Sequence, residues 1–140
     1  MHDALRRRIC IHEGGHAAAA LVFGLPILSV SVDPPRLLRQ RLRPPEEAWL
    51  TVCFSGGAAE RLHIGGRFDE CGEIDDYRMA HSFLCGRYPL VEVGIRIDTA
   101  MLAAERLIKT DWARARVPVI ARALNERGVL SGDDVYALFG

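Results

Sequence analysis

The sequence predicts a mainly α-helical α+β domain with a short β-strand or hairpin element and a C-terminal helical bundle. Three observations carry that expectation. Apolar residues recur at three- and four-residue spacing near the start of the chain, a β-branched-rich run alternates over residues 27–32, and glycine and serine punctuate a helical tail. With 140 residues the chain fits one domain, 1–140, around one core.

The elements follow in order. Leu5, Ile9, His12, His16, Ala19, Ala20 and Phe23 mark an amphipathic helix over residues 3–23, stopped by Gly24 and Pro26. Ile27 to Val32 alternates apolar and small polar residues as a half-buried strand does, and Asp33-Pro34-Pro35 ends it. Residues 36–47, rich in Arg, Pro and Glu, are expected to form an exposed connection. A second helix is expected over 49–63 despite Gly56-Gly57, a pair that costs about 1 kcal/mol per residue against alanine and signals close packing of another backbone. Gly65-Gly66 closes it. A polar loop over 67–73, a third helix over 74–86 and tail helices over 97–109, 111–127 and 132–139 complete the chain, with Gly128 as a cap and Ser131 as a helix start.

Composition excludes several classes. At 49% hydrophobic and 26% charged the chain is an ordinary globular one, and 18 basic residues balance 18 acidic ones, so no global field points to nucleic acid or an anionic membrane. The most apolar run, residues 17–32, is shorter than the roughly 18 to 20 residues of a membrane span. Cysteines 10, 53, 71 and 85 show no CxxC pairing, which argues against a thiolate zinc knuckle or a disulfide framework. With no secretory signal at the start, a cytoplasmic protein with reduced thiols is expected.

The chemistry is concentrated in His12-Glu13-Gly14-Gly15-His16. Two histidines four residues apart on a helix project from one face about one turn apart, so both imidazoles reach a single cation. Glu13 lies beside the pair and can take a proton from a water that the cation activates. Gly14 and Gly15 weaken the helix that carries the motif, which close approach of another helix or of substrate would explain. A catalytic zinc takes three protein ligands, and Asp69, Glu70, Glu73, Asp75 and Asp76 are the obvious supply for the third. His63, His81 and Cys71 are weaker candidates. Glu60 could orient a histidine ligand or form a surface salt bridge, and Arg6-Arg7-Arg8 is expected to be a solvated face.

These motifs resemble the zincin-like peptidase domain of FtsH, the membrane-anchored ATP-dependent zinc protease family. His12-Glu13-Gly14-Gly15-His16-Ala17 is similar to its His-Glu-Ala-Gly-His-Ala, and Phe54-Ser55-Gly56-Gly57-Ala58-Ala59-Glu60 to its Leu-Gly-Gly-Arg-Ala-Ala-Glu helix. Gly72-Glu73-Ile74-Asp75-Asp76-Tyr77-Arg78-Met79-Ala80 resembles the stretch holding the family's aspartate ligand, which falls on Asp76, with Asp75 as competitor. Residues 121–135 look like the end of that domain. The resemblance implies a zinc metallopeptidase with ligands His12, His16 and Asp76, Glu13 as catalytic base, and a peptide or unfolded protein as substrate. The chain has no Gly-x-x-x-x-Gly-Lys-Ser/Thr phosphate loop, so ATP coupling would fall to a partner ATPase or adaptor. Residues 33–48 are shorter than the matching segment of the family and are expected to lack its glycine-containing strand beside the active site. That departure motivates the alternative of a non-catalytic zinc-binding or adaptor domain.

Overall fold

The motif helix is the axis around which the other elements pack. The computed structural model describes residues 3–39, 45–66 and 72–139. In chain order they form α1 (Asp3–Val22), β1 (Ile27–Val32), β2 (Pro35–Arg39), α2 (Glu46–His63), α3 (Glu73–Cys85), α4 (Leu90–Lys109), α5 (Asp111–Arg127), β3 (Val129–Ser131) and α6 (Gly132–Ala137). The architecture is mainly helical with one small antiparallel sheet, as the sequence predicts.

Every residue of α1 from Cys10 to Ala20 is buried, so its middle has no solvent face where an amphipathic helix was expected. Side-chain size explains the difference. A Cβ on Gly15 would lie 2.5 Å from the Ser55 carbonyl oxygen and 3.1 Å from Gly56 Cα, and one on Gly14 would lie 3.1 Å from the Val117 carbonyl oxygen. The glycines therefore let α2 and α5 pack backbone to backbone on opposite parts of α1. The burial gained there offsets the helix propensity they lose.

Gly24 turns the chain at φ 65°, and β1 follows. β1 is the middle strand of the order β2-β1-β3 and pairs antiparallel with both neighbours. A register irregularity between Ile27 and Ser29 lets Ile27, Val30 and Val32 all point inward. β2 corrects the exposed connection expected from residue 36. Pro-Arg-Leu-Leu-Arg has neither alternation nor β-branched residues, and its strand character comes from cross-strand pairing such as Val30 with Leu37. β3 was not predicted either, because three residues are too few to show a period.

α2 is buried at every position from Leu50 to Glu60 and packs along α1 and α4. α4 begins at Leu90, seven residues before the predicted start at 97. Its inward stripe of Val93, Ile97, Ala100, Ala104 and Ile108 has helical period, but Val91, Val93, Gly94 and Ile95 lower local propensity and hid the first two turns. Thr110 accepts from the Ala113 amide to start α5, Gly128 ends that helix at φ 78°, and Ser131 with Asp134 forms a capping box for α6. All the helices from α1 to α6 and the strands β1 and β3 contribute to one cluster of buried side chains. No helix among the described residues is long and apolar enough to cross a membrane.

Candidate metal centre

His12 and His16 sit on the buried face of α1 that meets α2, and both rings are anchored through Nδ1. His16 Nδ1 donates to the Val52 carbonyl at 2.7 Å, and His12 Nδ1 donates to the Glu60 carboxylate. A carbonyl oxygen can only accept, so the neutral His16 ring carries its lone pair on Nε2, and the carboxylate fixes His12 the same way. The two Nε2 atoms lie 3.0 Å apart.

Asp76, in the first turn of α3, brings Oδ2 to 2.8 Å from His12 Nε2 and 3.3 Å from His16 Nε2. The placement of α3 depends on Glu73, which is buried, pairs with Arg61 and fills the space over Gly57, where a Cβ would lie 2.6 Å from its carboxyl carbon. Gly72 passes close over the His12 ring, where a Cβ would be 3.3 Å from Nε2. Asp75 is exposed, so of the two competing aspartates it is Asp76 that meets the imidazoles. Glu73 supports the helix start and makes no contact with the histidines among its hydrogen bonds.

Two imidazole lone pairs and a carboxylate oxygen converging without a donor between them repel unless a positive charge sits there. The protein answers with protons. Burial opposes a charge on His12, but the Asp76 and Glu60 hydrogen bonds outweigh it and hold its pKa up to about 10. His16 is raised as well, against its burial, by Asp76. Burial would raise Asp76, yet the two histidines hold its carboxyl well below the usual range. The same donors are of the kinds that ligate a divalent cation. Separations of 2.8, 3.0 and 3.3 Å fit donors drawn around one small ion, since zinc with ligands at about 2.0 to 2.1 Å holds them roughly 3.3 Å apart.

Glu13 completes the group. It is 4% exposed, its carboxylate lies with the two imidazoles in a set of ligand atoms all within 4.8 Å of one another, and its buried Oε2 has no hydrogen-bond partner. Burial pushes its carboxyl above the ordinary range, the direction that suits a proton carrier. Glu13, His16 and Asp76 line a cleft of about 380 Å³ whose other walls include Leu25, Leu37, Trp49, Val52 and Met79. β2 borders this cleft through Pro35, Arg36 and Leu37, and its outer edge pairs with no other strand among the described residues. A strand therefore does stand beside the site, although, as expected for residues 33–48, it contains no glycine.

The remaining candidates lie elsewhere. Burial, then Arg114 and Arg7, lower the pKa of His63, and its buried Nε2 has no hydrogen-bond partner among the described residues. His81 bonds the Cys85 thiol at 3.4 Å one turn away. Asp69, Glu70 and Cys71, with residues 67–71 of the loop expected over 67–73, lie outside the described residues. Arg8 departs from the solvated face expected of the arginine run, since it is half-buried and ion-paired to Glu60 at 3.1 Å. Glu60 is buried, so its ion pair with Arg8 is not the surface salt bridge considered for it, and its other oxygen accepts from His12 Nδ1. Gly56 is a residue whose part the sequence only half revealed: its doublet signalled close packing, but what a Cβ would meet is His16 Nε2 at 2.5 Å and His12 Nε2 at 2.6 Å. No protein-family model matches the chain, and no curated protein matches it.

Proposed function

We propose that this chain is a zinc-dependent metallopeptidase of the type the FtsH peptidase domain represents, hydrolysing peptide bonds in a peptide or unfolded protein. The observation that carries the reading is the convergence of His12 Nε2, His16 Nε2 and Asp76 Oδ2, with both histidines anchored at Nδ1 and a buried, unpartnered carboxylate oxygen on Glu13 beside them. Zinc held there would activate a water and polarise the scissile carbonyl. Glu13 takes the proton from the attacking water and returns it to the leaving amide nitrogen, so one carboxylate serves as base and then acid. Its raised pKa favours the first transfer, the taking of the proton from water. The apolar walls of the cleft, with the edge of β2 that pairs with no other strand among the described residues, give an extended peptide both side-chain and backbone partners.

None of these steps uses a nucleotide, and a partner ATPase or adaptor would serve only to deliver unfolded chains. A reducing cytoplasmic setting belongs to the same proposal and is supported by Cys10, a free thiol buried in the core.

The test is Glu13→Gln. The variant keeps the zinc content of the unsubstituted protein and loses at least about a hundredfold in cleavage of unstructured protein or peptide substrates. Unchanged turnover would reject the role of Glu13. Stoichiometric zinc in a protein that leaves a broad panel of unstructured substrates intact would instead make the chain a non-catalytic zinc-binding domain.

A further inference from the structure

Glu60 is the carboxylate that orients His12, and it is itself held by one side chain. Arg8 lies one turn before His12 on the same face of α1. Its Nε donates to Glu60 Oε2 at 3.1 Å and its Nη2 donates to the Gly65 carbonyl at 2.5 Å. The other oxygen of the carboxylate, Oε1, accepts from His12 Nδ1. We propose that Arg8 is a positioning residue of the metal centre, fixing Glu60 so that Oε1 meets His12 Nδ1 and His12 Nε2 is aimed at the ion. The proposal deepens the metallopeptidase reading and rests on it for its catalytic readout.

Glu60 is 3% exposed, and among the described residues each oxygen has one protein donor, His12 on one side and Arg8 on the other. Without Arg8, Oε2 is left buried without that donor. The carboxylate is then drawn away from His12 toward whatever replaces it, and the ring follows. The guanidinium suits the task because its planar fork spans two acceptors at once, which a lysine ammonium on a flexible stem does not reproduce. The second acceptor is the carbonyl of Gly65, a residue at φ 89° that ends α2, so Arg8 is referenced to the same helix that carries Glu60. Arg8 is not among the residues lining the cleft, so it acts on the metal and not on the substrate.

The experiment measures zinc affinity by chelator competition and the visible spectrum of the cobalt-loaded protein for Arg8→Met, Arg8→Lys, Glu60→Gln and the Arg8→Met/Glu60→Gln double variant. Arg8→Met is expected to weaken zinc binding about 10- to 100-fold, as loss of a carboxylate support for a histidine ligand does, and to alter the cobalt spectrum. Arg8→Lys, which keeps the charge and loses the fork, falls between. Because Arg8 acts through Glu60, adding Arg8→Met to Glu60→Gln costs little more than Glu60→Gln alone. Peptide turnover, where measured, loses kcat with KM unchanged. Arg7→Met, an exposed neighbour, binds zinc as the unsubstituted protein does.

Additive losses in the double variant, or an Arg8→Met affinity within about twofold of the unsubstituted protein, overturn the proposal. The affinity readout separates it from the peptidase reading. Weakened zinc in Arg8→Met, in a protein that cleaves no peptide, supports the role of Arg8 while the peptidase reading fails.

Discussion

Replacing Gly56 by alanine tests the metal centre with the smallest possible perturbation, one methyl group. The added Cβ would lie 2.5 Å from His16 Nε2 and 2.6 Å from His12 Nε2, roughly 0.9 Å inside the 3.4 Å at which ordinary contact begins. Neither ring can turn aside freely, because each is bonded at Nδ1, to Val52 and to Glu60. α2 cannot back away freely either, since it is also packed against α4 and α3. Two opposing terms act on the metal-free fold. Alanine in a helix is favoured over glycine by about 1 kcal/mol, whereas forcing a methyl into a filled interior costs about 1 to 3 kcal/mol, so the net change runs from near zero to a loss of about 2 kcal/mol. Metal binding has no such offset. Displacing both imidazole donors by most of an ångström should weaken zinc at least about 100-fold, about 2.7 kcal/mol. Urea unfolding of the metal-free variant and chelator competition for zinc measure the two quantities separately. Gly94→Ala serves as the control, because nothing lies within 4 Å of its added Cβ. It should leave zinc binding unchanged and stabilise α4 by up to about 1 kcal/mol. A Gly56→Ala protein with undiminished zinc affinity would show that the metal does not sit between these two histidines.

Two further outcomes follow from the same geometry. Asp76→Ala should abolish stoichiometric zinc in metal analysis of the purified protein, whereas Asp75→Ala, at an exposed position, should retain it; the reverse pattern would exchange their roles. The pH dependence has a definite sign. In the metal-free protein His12 is raised to about 10 and His16 is also raised, so at neutral pH zinc must displace protons, about one to two per ion, and its affinity climbs as pH rises from near 6.5 toward 10. The same raised values stabilise the metal-free fold fully below about pH 6.5, with that contribution lost as pH rises through about 10. Calorimetric zinc titrations in buffers of different ionisation enthalpy, with thermal unfolding of both forms across pH, check this. Zinc binding without proton release at neutral pH would contradict it.

The elements legible in the sequence are those whose signal is local. The histidine spacing of α1, the alternation of β1, the glycine cap at Gly128 and the serine cap at Ser131 are written in residues near one another, and each stands where expected. The glycine doublets at 14–15 and 56–57 announced close packing, because a helix accepts their cost only when something else occupies the space. What occupies it is a matter of tertiary structure. It is the crossing of α1 and α2 that puts Gly56 against two imidazoles, and the seating of Glu73 over Gly57 that turns Asp76 and not Asp75 toward them. The strand β2 exists only through its partner β1, and Arg8 left the solvated face expected of an arginine run only because Glu60 and Gly65 arrive beside it from α2. Spacing along one helix fixes two donors, since the helix repeat is rigid. A third donor, its supports and the cleft come from segments distant in sequence, and their meeting depends on packing that no local pattern encodes.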